Sequence, residues 1–309
     1  MRHWIPIALI KTIALSTLLT GCTVAVEPPQ APLSGHAVRP VAAEVLTVVD
    51  GQTIYVPAYT GIFFAGTQKT WDLAVTLAIR NTDTDSAVIV KSARLYDVDG
   101  NVDADYVTEP LELAPLGTTT IVLARDDNRG GVGAKFIVEW AAEHEVHEPV
   151  VETVMVSTAG SQALAFSSRG QVIAGESLEL SRNQSVYVPA YSDIFFDDSR
   201  RTLDLAITLA IHNTDAIHPI TIKSIRYYDT GGTLVAENLD APLSLAPWAT
   251  TNVVIERDDT SGGIGANFIV DWEADAAVST PRIESIIVST AGSHGVAFTG
   301  SGQGISQEE

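Results

Sequence analysis

Along most of this chain apolar and polar residues alternate one for one. In "WDLAVTLAIR", Trp71, Leu73, Val75, Leu77 and Ile79 interleave with Asp72, Ala74, Thr76, Ala78 and Arg80. That period of two turns one face of a strand inward and the other outward. Phe136, Val138 and Trp140 alternate in the same way with Lys135, Ile137 and Glu139. Asn-Thr-Asp, Asp-Gly, Gly-Gly and Pro break the runs about every ten residues, as turns between short strands do. Beyond the N-terminal segment no stretch has a helical period. The pattern predicts an all-β protein, with about seven or eight strands in each unit, built as an immunoglobulin-like β-sandwich; a small β-barrel is the alternative.

The units come twice. "YVPAYTGIFF" at Tyr55 returns as "YVPAYSDIFF" at Tyr187, 132 positions on. "DLAVTLAIRNTD" at Asp72 and "VSTAGS" at Val156 return at Asp204 and Val288 with the same offset. From Tyr55 to Phe166 the register holds without a gap, and roughly half of the positions are identical. A period this long is a duplicated domain, since stacked solenoid repeats run to about 20–50 residues. The expected organisation is a first repeat over 44–168, a second over 169–300 and a flexible tail at 301–309. The joining segment "SSRGQVIAGESLELSRNQS" is strand-like in its second half.

The N-terminus follows another rule. "MRHWIPIALIKTIALSTLLTGC" begins with Arg2 and Lys11, continues through a short apolar core and ends with small residues before Cys22. This is the form of a bacterial lipoprotein signal, which predicts removal of residues 1–21 and lipidation of Cys22. Pro6 and Lys11 interrupt the stretch, against the run of about 20 apolar residues that a membrane span requires. Thr23 after the cysteine, where Asp would resemble an inner-membrane retention signal, points to the outer membrane, facing the periplasm. The Pro- and Ala-rich segment 22–43 is read as a flexible tether.

Charge narrows the partners. The 309-residue chain carries 38 acidic and 18 basic side chains, a formal charge of −20. Removing Arg2 and Lys11 leaves 16 basic residues and a net −22. Nucleic acid is excluded as a partner, because phosphate neutralisation takes clustered Lys and Arg. The membrane is expected to be reached through the lipid on Cys22, and the other partner is an unidentified envelope protein or ligand. Cys22 is the single cysteine, so an intrachain disulfide and a thiolate zinc site are both excluded.

The motifs "YVPAYS.IFF", "LAITLAI.NTD", "APLSLAPWATT" and "RDDTSGGIGANFIVDW" resemble an uncharacterised bacterial family, domain of unknown function 3124. The resemblance covers both repeats almost end to end. It implies secreted or lipid-anchored proteins and brings no activity with it.

Several groups are candidates for chemistry. "RDDNRGGVGAKF" and "RDDTSGGIGANF" place Asp126 and Asp127, and again Asp258 and Asp259, beside glycine-rich loops. Carboxylates beside open carbonyls suit Ca²⁺, which takes six to eight oxygens. The plainer reading is a hairpin loop in which glycine supplies positive φ. "DVDGNVDAD" resembles a calcium loop but has Val102 and Thr108 where an EF-hand needs Gly and Glu, so a turn is expected. "HEVH", from His144 to His147, is read as a surface loop. Tyr55, Tyr59, Phe63, Tyr187, Tyr191 and Phe195 are a candidate interaction patch, weighed against core packing. His212 and His294 face Arg80 and Gln162 at the matching positions, and no hydrolase, zinc-protease or nucleotide fingerprint is present. The expected function is non-enzymatic and without a cofactor: an envelope lipoprotein acting as a binding or structural module. A Ca²⁺-dependent module and a hydrolase built on His212 or His294 are the alternatives.

Overall fold

The computed structural model describes residues 38–41, 47–64, 69–127, 129–157, 163–175, 180–196, 198–290 and 295–306. The expected signal segment, the lipidation site Cys22, most of the tether and His294 lie outside the described residues. The first repeat carries β1 (Val38–Pro40), β2 (Asp50–Pro57), β3 (Gly61–Phe63), β4 (Thr70–Asp72), β5 (Ala74–Arg80), β6 (Val88–Tyr96), β7 (Val102–Asp105), β8 (Leu111–Leu113), β9 (Thr118–Leu123), β10 (Lys135–Ala142), β11 (Val150–Ser157), β12 (Leu164–Arg169) and β13 (Gln171–Ala174). The second carries β14 (Leu180–Pro189), β15 (Asp193–Phe196), β16 (Asp198–Asp204), β17 (Ala206–His212), β18 (Ile220–Tyr228), β19 (Leu234–Glu237), β20 (Leu243–Leu245), β21 (Thr250–Ile255), β22 (Asn267–Ser279), β23 (Arg282–Ser289), β24 (Val296–Ser301) and β25 (Gln303–Ser306).

Each repeat is a β-sandwich. In the first, the sheet β1-β8-β6-β10-β2-β13, with β7 also on β6, faces the four-stranded sheet β12-β11-β5-β9, and β3-β4 form a separate hairpin. In the second the corresponding sheets are β19-β18-β22-β14-β25, with β20 on β18, and β21-β17-β23-β24. Neither pair of sheets closes into a barrel, which removes that alternative. The alternation drives the layering: Val75, Leu77 and Ile79 of β5 and Phe136, Val138 and Trp140 of β10 all enter the first core. Leu205, Ile207, Leu209, Ile211, Phe268 and Trp272 do so in the second.

The structure moves three borders. Gln171–Ala174 pairs with β2, so the first repeat ends at Ala174 rather than at 168. Gln303–Ser306 pairs with β14, so part of the expected tail is the last strand of the second sandwich. Val38–Pro40, at the end of the expected tether, pairs with β8. These strands are three or four residues long, too short for a period to show, and each is held by a neighbour remote in sequence.

One strand breaks the alternation. Every residue of β17 is buried, including Ala206, Thr208, Ala210 and His212 on the face turned away from its own core. Burial on both faces requires two covers. The second cover is the first repeat, whose core cluster takes in Ala206, Ala210, Ile286 and Val288.

Candidate functional site

The Asp-Asp-Gly-Gly stretches are corners between sheets. β9 and β10 belong to different sheets of the sandwich, as do β21 and β22, so the expected hairpin is instead a crossover loop. The turn is made twice in the same way: Asp127 N donates to Ala124 O at 2.9 Å, and Asp259 N to Glu256 O at 3.0 Å. Asp127 receives Arg129 through both carboxylate oxygens, and that pairing holds its pKa below the ordinary value. Arg129 continues to the Tyr106 hydroxyl at 2.9 Å. Asp259 accepts the Ser261 amide at 3.1 Å instead. Both carboxylate oxygens of Asp127 are thus engaged by Arg129. Among the described residues no three His, Cys, Asp or Glu side chains are grouped to hold a metal.

Two other motifs are local scaffolding. Asp97 accepts the amides of Asp99 and Asn101 at 2.9 and 2.8 Å, and Asp229 accepts that of Thr233 at 2.7 Å; both are turns. "HEVH" lies in irregular chain between β10 and β11, with His147 open to solvent beside Asp83.

The aromatic residues part company. Tyr55 and Tyr59 are wholly buried and Phe63 is half-buried, whereas Tyr187 is 36% and Phe195 52% exposed. Tyr191 is half-buried against Phe298, ring centroids 5.7 Å apart. What buries Tyr55 and Tyr59 is the second repeat. The Tyr55 ring stacks on Trp248 at 6.5 Å, and Trp248 packs against a small cluster of Tyr55, Tyr96, Ile137 and Ile173. The Asp97–Gly100 turn leans on the same loop: Thr250 N donates to Val98 O at 2.9 Å. Gly100 has φ +89°, and a Cβ there would stand 2.6 Å from Pro247 O and 3.1 Å from the Trp248 Cβ. Glycine serves here both the turn and the close approach.

At the centre of this joint lies a polar chain. Tyr59 Oη donates to Glu284 Oε1 at 2.7 Å and meets His212 Nε2 at 2.8 Å; His212 Nδ1 meets Thr250 Oγ1 at 2.9 Å. Because ionised Glu284 only accepts, Tyr59 donates to it, His212 Nε2–H donates to Tyr59, and Thr250 donates to Nδ1. Arg282 neutralises Glu284 at 2.7 Å, and Ser168 of the first repeat adds a hydrogen bond to it at 3.2 Å. Burial, then the charges of Lys135 and Arg282, lower the His212 pKa well below its ordinary value and keep the ring neutral. Lys135 is buried beside it, donating to Asp97 O and, at 3.4 Å, to Thr250 Oγ1.

A threonine, a histidine, a tyrosine and an acid in one chain have the ingredients of proton-transfer chemistry, but Tyr59, His212 and Glu284 are all at 0% exposure. A cleft of about 210 Å³ beside the joint is lined by Gln171, Gln184, Thr280 and Arg282 among others; it reaches the arginine and not His212, Tyr59 or Glu284. The arrangement holds two domains together and offers no surface to a substrate.

Several residues of the joint are ones at which the copies differ. Lys135, Ser168, His212, Trp248 and Arg282 stand against Asn267, Gly300, Arg80, Leu116 and Val150 at the matching positions. Comparing the copies for differences, rather than for shared motifs, is the signal that finds them.

Fold and joint define a class: tandem β-sandwiches of one kind, docked face to flank through a sealed polar core. The chain belongs to the family described as protein of unknown function (DUF3124), whose model matches it twice, over residues 51–173 and 183–305. No curated protein and no solved structure matches it.

Proposed function

We propose that the protein is a non-catalytic module of the bacterial envelope, held at the outer membrane by a lipid on Cys22 and acting by binding through one face of its second repeat. The observation that carries this reading is the unequal fate of two matching faces. Tyr55, Tyr96, Ile137 and Ile173 are buried, with Trp248 of the second repeat packed against them. Their counterparts are not: Tyr187 is 36% and Ile305 56% exposed, and Tyr228 and Ile269 are half-buried. An apolar surface of a kind built to receive a sandwich, left open, is the feature expected of an interaction site. The small residues before Cys22 support the anchor, and the acidic surface supports a protein partner over nucleic acid or anionic lipid.

The test is photo-crosslinking in cells. Benzoylphenylalanine in place of Tyr187 is expected to give discrete protein adducts, with none from Ile217, which lies in the turn that precedes β18. Adducts absent from both positions would refute binding through this face. Fractionation of a Cys22→Ser variant checks the anchor: the protein leaves the membrane fraction, or the lipid reading fails.

A further inference from the structure

The joint between the repeats is asymmetric. The first repeat contributes one surface: Tyr55, Tyr59, the Asp97–Gly100 turn, Gly133 and Ile173. The second contributes another: the outer face of β17 and β23 with the Trp248–Thr250 loop. If the contact were two-fold, Tyr187 would meet Leu116 as Tyr55 meets Trp248. Leu116 is instead 66% exposed. Around the Trp248 loop the contact is thus of the head-to-tail kind, which uses a different patch on each partner and leaves one of each unused, while β12 meets its own counterpart β24.

Apart from β12 and β24, which already pack on one another, both unused patches are present and open. On the second repeat, the Asp229–Gly232 turn, Tyr187 and Ile305 match the receiving surface. At Gly133 a Cβ would meet Val98 and, at 3.1 Å, the Thr250 Cβ of the other repeat; at Gly265 the three atoms nearest to such a Cβ all belong to Thr230, of its own repeat. On the first repeat, Thr76, Val154 and Val156 are half-buried where Thr208, Ile286 and Val288 are buried. Leu116 stands at the loop tip with φ 56°, matching Trp248 with φ 61°, so the two loops present their apolar side chains from the same backbone shape. Polar groups match as well. Tyr191 would bring its hydroxyl to the Arg80–Glu152 pair, 2.6 Å apart, as Tyr59 brings its own to His212 and Glu284.

We infer that the partner of the open face is a second copy of this chain, the second repeat of one molecule receiving the Leu116 loop and the outer face of β5 and β11 of the next in a contact that repeats the Trp248-loop part of the intrachain joint. This rests on the proposed binding role of that face and names its occupant. The contact builds a filament, or a ring of two chains if the rotation closes. It lacks the Trp248, His212 and Arg282 of the intrachain joint and the advantage of a shared chain, so it is the weaker of the two and is favoured when copies are concentrated on one membrane.

The test uses disulfides formed in cells by the full chain, with the parent protein, whose single cysteine is Cys22, as background. Since the Cβ position of Gly100 lies 3.1 Å from that of Trp248, Gly232→Cys with Leu116→Cys stands close to the ~3.5–4.5 Å that a disulfide spans. A second pair avoids positive φ: Thr230→Cys with Thr118→Cys, matching Val98 and Thr250. The double variants are expected to give a ladder of linked chains or a doubly linked dimer, and a mixture of the two single variants a dimer only; Ile217→Cys with Leu116→Cys gives neither. Linkage of Gly232→Cys or Thr230→Cys to a different protein overturns self-association and leaves the binding role of the face standing. No linkage from either pair, in chains that fold as the parent by circular dichroism, together with no adduct from position 187, overturns both.

Discussion

Lys135 gives the sharpest thermodynamic test of the joint. Its side chain is wholly buried, with two acceptors for three ammonium protons, the Asp97 carbonyl and the Thr250 hydroxyl. Desolvation outweighs the attraction of Asp97, Asp99 and Asp103 and lowers its pKa from 10.5 to about 7. The gap between those values, at ~1.36 kcal/mol per pH unit, amounts to roughly 5 kcal/mol held against folding while the lysine is charged. Below pH 7 the folded and unfolded chains both carry the proton and the whole penalty stands. Between 7 and 10.5 the unfolded chain keeps the proton that the folded chain has released, so stability rises with pH. The buried hydroxyls of Tyr55 and Tyr59, whose pKa values are raised by burial, oppose this only near and above pH 10.

The perturbation is Lys135→Met, which keeps the length of the side chain and removes the charge. The assay is urea unfolding followed by tryptophan fluorescence, since Trp140 and Trp272 lie at matching places in the two cores. The parent protein is expected to gain on the order of 2 kcal/mol between pH 7.5 and 9. The variant is expected to be flat over that interval. A flat parent curve, or a slope that survives in the variant, would refute the account of Lys135 as a desolvated ammonium at the joint.

Two further outcomes follow from the repeated motifs. The Asn81 amide donates to the carbonyls of Ser86, Leu113 and Ala114 at 2.8–3.2 Å, and Asn213 repeats the arrangement with His218, Leu245 and Ala246; Asn81→Ala or Asn213→Ala should each cost about 2–3 kcal/mol of stability in the same unfolding assay. Because Asp127 is taken up by Arg129, thermal midpoints in EDTA and in millimolar Ca²⁺ should coincide for the parent and for Asp126→Asn/Asp258→Asn; a Ca²⁺-dependent rise lost in the variant would restore an ion site.

How far the sequence could be read depends on what each residue's neighbours were. The stripe Leu73, Val75, Leu77, Ile79 is legible because one strand face and one core decide it. The border strands Gln171–Ala174 and Gln303–Ser306 are not, because pairing with β2 and β14 makes them strands and nothing in their own few residues does. The joint is hidden for a third reason. Ala206, Thr208 and Ala210 are the same kinds of residue as Ala74, Thr76 and Ala78, and small or hydroxyl side chains serve a solvated face and a tightly covered one equally well. The aromatic residues read as one group in the sequence because they repeat; the structure seals Tyr55 and Tyr59 and opens Tyr187. The Asp-Asp-Gly-Gly stretch, the most legible repetition of all, is a corner that each sandwich needs once.

A duplicated domain starts with two copies of every surface, and covalent linkage lets one head-to-tail pair close within the chain. The closed pair holds the bulky and charged residues its partner lacks: Trp248 rather than Leu, Lys135 rather than Asn, and the Arg282–Glu284 pair under Tyr59 and His212. Such groups suit a joint that stays shut, because a desolvated ammonium and a buried glutamate are tolerated only where their partners are permanent. The open pair carries Leu116, Asn267 and a half-exposed Arg80–Glu152 bridge, none of which is harmed by standing in water. That division is what a permanent contact and a reversible one, cut from the same surface, require of their residues.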